Sequence, residues 1–218
     1  MKKLTKMMYA LSLSVILFIS LTSFNMQDQS RELSKHIVPF KMIIMDNGIY
    51  ATGFHIKFEG KTFIVTNKHV CDFSLKTYKH NFIQFDDYIG EIIMISEVHD
   101  LCLVTSNRTD GLELSDTPVE PLDHITLIGF PRGMDKVIRE GRVISYMEIF
   151  AGWLGEAGKN VETIQISTTT YGGNSGSPVL NSSGKVIGVL FAGHPSFHTE
   201  GWVVPLSYLK SFLAIYGI

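Results

Sequence analysis

Residues 172–178 read Gly-Gly-Asn-Ser-Gly-Ser-Pro and lie between two short apolar runs of β character, 163–167 and 179–180. The glycines around Ser175 free the backbone for tight conformations that leave the hydroxyl exposed. In such a turn the N–H groups of Gly173 and Ser175 can converge on one spot, as a developing acyl-transfer oxyanion requires. Taken alone, the segment reads equally well as an ordinary Gly/Asn/Ser turn between strands. It does not fit the G-x-S-x-G elbow, because residue 177 is Ser and the surroundings are β on both sides.

Outward from this segment the pattern stays β. Apolar or alternating runs rich in Ile, Val, Phe and Thr recur at 37–45, 50–58, 62–66, 82–85, 91–95, 101–104, 125–128, 137–149, 163–167, 179–180, 186–191 and 201–204. Turn signals such as Asp46-Asn47-Gly48, Glu59-Gly60-Lys61, Pro131-Arg132-Gly133 and Asn181-Ser182-Ser183-Gly184 separate them. Many short strands at this spacing predict an all-β sandwich or barrel. One segment has a helical period: after Pro205, apolar Leu206, Leu209, Phe212, Leu213 and Tyr216 recur at steps of three and four. Thr117-Pro118 to Pro121-Leu122 is the expected hinge between two halves.

The 218 residues are 45% hydrophobic and 18% charged, enough apolar material for a real core and too much for whole-chain disorder. With 19 Lys+Arg against 21 Asp+Glu, the chain has no basic excess to neutralise a phosphate backbone, so no nucleic-acid partner is expected. Two cysteines exclude a disulfide-dense scaffold and a Cys-rich zinc module. His124, His194 and His198 do not form a convincing metal set, so no metal and no organic cofactor are expected. Residues 1–26 stand apart: Lys2, Lys3 and Lys6 precede an uncharged apolar run, the pattern of a secretory signal or, uncleaved, of a membrane anchor through residues 7–24. The polar stretch 27–35 reads as a linker.

Two further points carry chemistry. Phe63-Ile64-Val65-Thr66-Asn67-Lys68-His69 reads as an apolar strand ending at a histidine, and in His99-Asp100-Leu101-Cys102 an acid stands at the entry of an apolar strand. Each has a bland reading, a solvent-exposed imidazole and a turn residue. Together with Ser175 they stand in the order His, Asp, Ser, which is the chymotrypsin-type order of a catalytic triad.

Around these points the chain resembles the trypsin-like serine peptidases, in their glutamyl-endopeptidase and Deg-type branches. The likeness rests on Thr66-Asn67-Lys68-His69-Val70, Asp100-Leu101-Cys102-Leu103-Val104, and Ser167-Thr168-Thr169-Thr170-Tyr171 with the Ser175 turn. Ile125 to Gly133, Val186 to Leu190 and Gly201 to Pro205 resemble strands of the second barrel in Deg-type enzymes. The resemblance implies two antiparallel six-stranded β-barrels, residues 36–117 and 118–218, the second closed by a short C-terminal helix. Together they would form one peptidase domain with the active site between them.

The implied roles are His69 as general base, Asp100 as its orienting partner, Ser175 as nucleophile, and the N–H groups of Gly173 and Ser175 as oxyanion donors, acting on protein or peptide substrates. Thr169, Thr170, Leu190, Gly193 and Gly201 would wall the pocket for the residue preceding the cut. Thr169 would occupy its base, where trypsin has an acid, and Leu190 would stand where glutamyl endopeptidases have a histidine. Asn174 stands where trypsin-like zymogens place an Asp, so no N-terminal ion pair is expected to order the loop. Cys71 and Cys102 lie close to His69 and Asp100. A bridge is conceivable in an oxidising compartment, but the expectation is unbonded, with Cys102 a small buried hydrophobe. The alternative function is a catalytically silent relative that acts as a binding module. Oligomeric state is not encoded in any pattern found.

Overall fold

The computed structural model describes residues 28–29, 31–44, 47–85, 88–150, 160–194 and 196–215. The signal or anchor expected over 1–26 lies outside the described residues. The chain divides into two compact units, residues 1–35 and 36–218. Within the first, residues 28–29 and 31–34 are helical. Among the described residues, no helix is long and apolar enough to cross a membrane.

All the strands among the described residues lie in the second unit. β1 (Ile37–Ile44), β2 (Asn47–Phe58), β3 (Lys61–Thr66), β4 (Phe82–Phe85), β5 (Tyr88–Ile95) and β6 (Cys102–Thr105) close one barrel in the order β1-β2-β3-β6-β5-β4. β7 (His124–Gly129), β8 (Val137–Phe150), β9 (Asn160–Ser167), β10 (Pro178–Leu180), β11 (Val186–Gly193) and β12 (Glu200–Pro205) close the other, in the order β10-β11-β12-β9-β8-β7. The fold is therefore chymotrypsin-like, with the two six-stranded barrels and terminal helix expected. Closure leaves neither sheet with an unpaired edge.

Alternation explains why these runs become strands. In β4, Ile83 and Phe85 are buried while Phe82 and Gln84 are exposed. The inward side chains, among them Ala51, Ile64, Ile83, Phe85 and Val104, fill the first barrel. Ile125, Leu127, Val143, Ile164, Ile166, Val179, Ile187, Leu190 and Val203 fill the second. Each large aliphatic or aromatic side chain so buried contributes about 1.5–3 kcal/mol. The connection between barrels is held by both: Leu112 bridges to Ile56 of β2 and Leu114 to Val186 of β11. Helix α2 (Leu206–Ile215) buries Leu206, Leu209, Phe212 and Leu213, the face its period predicts.

Two expectations need correction. After β3 the chain does not simply end a strand at His69; it enters helix α1 (Lys68–Tyr78), with His69 in the first turn. The helix was not predicted because its inner face is carried by Val70, Cys71 and Ser74, with two small residues where aliphatic ones would mark the period. The cysteines are also not free: Cys71 and Cys102 form a disulfide, with Cα atoms 6.5 Å apart. The helix presents Cys71 to β6.

Candidate active site

His69 and Asp100 meet through two hydrogen bonds. His69 Nδ1 is 2.7 Å from Asp100 Oδ2, and the His69 backbone N–H donates to Asp100 Oδ1 at 2.9 Å. The carboxylate accepts, so Nδ1 carries the proton and Nε2 presents a lone pair. The side chains differ in exposure, 41% for His69 and 3% for Asp100. The imidazole can thus reach a substrate while its partner stays out of water.

The local sequence fixes both. Asn67 is the residue capping α1, yet it makes no capping bond with its side chain. Its amide donates instead to the Asp100 carbonyl at 2.8 Å. Ser96 Oγ accepts the N–H groups of Val98 and His99 at 3.2 and 3.0 Å, which turns the chain into Asp100. The Cys71–Cys102 disulfide ties the helix bearing His69 to the strand that follows Asp100.

Ser175 lies in the turn before β10. Gly173 and Gly176 have φ of +99° and +84°, conformations that side-chain-bearing residues rarely adopt. Both are also crowded: a Cβ on Gly173 would meet the Phe130 carbonyl, and one on Gly176 would meet the Thr52 carbonyl and Thr66 hydroxyl. The Gly172 carbonyl accepts the Arg132 N–H at 2.6 Å. In a trans peptide the N–H points opposite to the C=O, so this bond turns the Gly173 N–H away from Arg132. Among the described residues, neither the Gly173 nor the Ser175 N–H has an intramolecular acceptor.

The turn is fastened to the first barrel. Thr52 N–H donates to the Ser175 carbonyl at 2.8 Å, and Thr66 Oγ1 donates to the Thr52 carbonyl at 2.8 Å. Ser175 and the β3 end that leads to His69 thus share one neighbour. Ser175 Oγ itself has no hydrogen-bond partner among the described residues, so the His69–Ser175 contact is not made here. Nucleophile–base contacts in an unliganded site are often long and tighten only when substrate is bound. Asn174 is 4% exposed and its backbone closes the turn, N–H to the Tyr171 carbonyl and carbonyl to the Ser177 N–H.

A cavity of about 200 Å³ opens beside Ser175, lined by Thr170, Tyr171, Gly172, Ser175, Leu190, Ala192, Gly193, His194 and His198. Of the residues expected there, Thr170, Leu190 and Gly193 line it, whereas Thr169 and Gly201 do not. A Cβ on Gly201 would come 2.8 Å from Leu190 and 2.9 Å from Thr170, so Gly201 lies behind that wall. Thr170 is committed to the scaffold, its hydroxyl donating to the Glu200 carbonyl at 2.7 Å and its N–H to the His198 carbonyl at 2.9 Å. His198 packs on Tyr171 with centroids 4.6 Å apart, and Arg132 covers Tyr171 at 4.2 Å. Thr52 and Ser96 had no recognisable signal in the sequence, while Arg132 was legible only as part of the Pro131-Arg132-Gly133 turn and His198 only as a histidine outside any metal set. Asn67 was legible as part of the motif around His69. Among the described residues no cluster of His, Cys, Asp or Glu could hold a metal ion.

Two closed barrels, a His–Asp pair on the first and a Gly-Asn-Ser-Gly turn on the second define the chymotrypsin-like serine peptidase class. The family model described as a trypsin-like peptidase domain matches residues 51–189, and the chain belongs to that family, in its Deg branch. The HhoA protein of Synechocystis sp. is 32% identical over 172 residues, which cover 73% of this chain and 41% of that protein. The chloroplastic Protease Do-like 2 of Arabidopsis thaliana is 29% identical over 137 residues, 59% of this chain and 22% of that one. The chain therefore spans well under half the length of either relative. The active form of the Rv3671c protease of M. tuberculosis superposes with a TM-score of 0.71 over 85% of this chain and 82% of that one, at 17% identity, a likeness of fold.

Proposed function

We propose that the chain is a serine endopeptidase that hydrolyses peptide bonds through Ser175, His69 and Asp100. The observation that carries this reading is the doubly hydrogen-bonded His69–Asp100 pair, with Nε2 outward and Ser175 fastened to the same barrel through Thr52. In the proposed reaction His69 Nε2 takes the Ser175 Oγ proton as the oxygen attacks the scissile carbonyl. Asp100 holds the imidazole tautomer and stabilises the imidazolium. The N–H groups of Gly173 and Ser175 hold the oxyanion, where losing one donor costs about 3–4 kcal/mol in comparable enzymes. The C–N bond breaks as His69 returns its proton to the leaving amine. Water then hydrolyses the acyl-enzyme by the same route, and Ser175 regains its proton. The residues needed for every step belong to this chain.

The cavity lining supports a preference for uncharged small or medium side chains before the cut. Export by residues 1–26, or anchoring through 7–24, is supported by their charge and hydropathy and by the disulfide, which forms and persists in oxidising compartments. Carbonate extraction of membranes separates a released from an anchored protein.

Cleavage of a peptide library by the wild type and by Ser175→Ala tests the main reading. Turnover by the wild type, abolished in a folded Ser175→Ala, is expected; equal turnover by both would reject it. The catalytically silent alternative is favoured only by the absent Ser175–His69 contact, and it predicts no turnover by either.

A further inference from the structure

We propose that Thr52 is a positioning residue for this reaction, its hydroxyl setting the peptide that follows Gly173 and so aiming the oxyanion donors. The inference rests on the serine-peptidase reading above.

Thr52 is fully buried on β2, in the first barrel, yet its side chain serves the second. Its hydroxyl donates to the Gly173 carbonyl at 2.8 Å and accepts the Phe130 N–H at 3.1 Å. A hydroxyl has one proton to give, and here it goes to the nucleophile turn. The accepted bond comes from the loop after β7, the same loop whose Arg132 N–H holds the Gly172 carbonyl at 2.6 Å. The carbonyls on both sides of Gly173 are thus held by separate donors. With both fixed, the +99° φ of Gly173 is fixed, and the direction of its N–H follows.

The backbone of Thr52 extends the same arrangement. Its N–H donates to the Ser175 carbonyl, and its carbonyl accepts the Thr66 hydroxyl, each at 2.8 Å. One residue therefore touches the nucleophile turn twice and the end of β3, three residues before His69. Of the two bonds that hold the carbonyls around Gly173, the Thr52 hydroxyl is the one a substitution can remove. Valine keeps its shape and loses both hydroxyl bonds, leaving a buried carbonyl and a buried N–H to find new partners by moving.

Steady-state kinetics on wild type, Thr52→Val and Thr52→Ser, each checked for folding by its unfolding transition, tests the proposal. Thr52→Val is expected to lower kcat by about 10²-fold, the scale of loss for a small misplacement in a site, with KM changed less than about threefold. Thr52→Ser, which restores the hydroxyl, is expected to recover most of the loss. The affinity for a peptide boronate, which engages both Ser175 and the oxyanion donors, should fall in parallel, while that for a cleaved product peptide should not. A Thr52→Val enzyme with wild-type kcat, a loss confined to KM, or a Thr52→Ser as impaired as the valine variant would overturn the proposal. If Thr52→Val does not fold, Thr52→Ala removes the same hydroxyl without adding a methyl and carries the same expectations. Loss of turnover in Ser175→Ala establishes the underlying reading separately, so a silent Thr52 would sink this inference alone. A folded wild type that neither cleaves nor takes the boronate would sink both.

Discussion

His69 donates twice to Asp100, through Nδ1 to Oδ2 at 2.7 Å and through its own backbone N–H to Oδ1 at 2.9 Å. The second bond exists because His69 sits in the first turn of α1, where backbone N–H groups have no partner within the helix. The helix thus supplies a donor that a strand-end histidine would not have offered. Asp100 is held whether or not the imidazole is protonated.

Asp100→Asn should leave the fold in place and lower kcat by about 10⁴-fold, the scale seen for this change in a chymotrypsin-type triad. The amide that replaces the carboxylate can donate to Nδ1 and so favour the wrong imidazole tautomer. Single-turnover acylation measured beside the unfolding transition checks this. A folded Asp100→Asn with turnover within about tenfold of wild type would show that the pair does not orient the base.

The disulfide closes a loop with a sequence separation of 31 and joins the His69 helix to the strand after Asp100. A constraint of that length contributes about 3–4 kcal/mol in the chain-entropy account. The double variant Cys71→Ala/Cys102→Ala should therefore unfold roughly 10 °C lower, as scanning calorimetry can show. An unchanged Tm would mean that α1 packs on β6 without needing the bond.

Cleavage after Arg or Lys should be poor. None of the residues lining the cavity beside Ser175 is an acid, so a basic side chain there would be buried without a counter-charge, at a cost of several kcal/mol. His194 Nδ1 accepts the N–H groups of Ser196 and Phe197, which leaves Nε2–H as the donor it can offer. Uncharged side chains such as Val, Leu, Ala or Thr are expected to lead a peptide-library profile. Dominant cleavage after Arg or Lys would discard this view of the cavity. Dominant cleavage after Glu would assign a substrate-binding role to His194 or His198.

Strand positions were legible because alternation exposes itself in residues such as Ile83 and Phe85, whatever the tertiary context. The helix bearing His69 was not, since Cys71 and Ser74 give its buried face no hydrophobic signature. The disulfide depended on that unseen helix. Thr52 was hidden for a different reason. A threonine in a strand is ordinary, and its partners Phe130 and Gly173 lie 78 and 121 residues away. The cavity was only partly readable. Thr169 and Gly201 were placed by likeness to relatives, while His198 arrives from a loop whose path no local pattern encodes.

Ser175 is the proposed nucleophile, and covalent labelling with a fluorophosphonate tests that role most directly. In wild type, mass spectrometry of the digested protein should find the phosphonyl adduct on the peptide containing Ser175. The adduct should be absent from a folded Ser175→Ala and strongly slowed in His69→Ala. A folded wild type that takes no label, or that takes it on another residue equally in Ser175→Ala, would contradict the account.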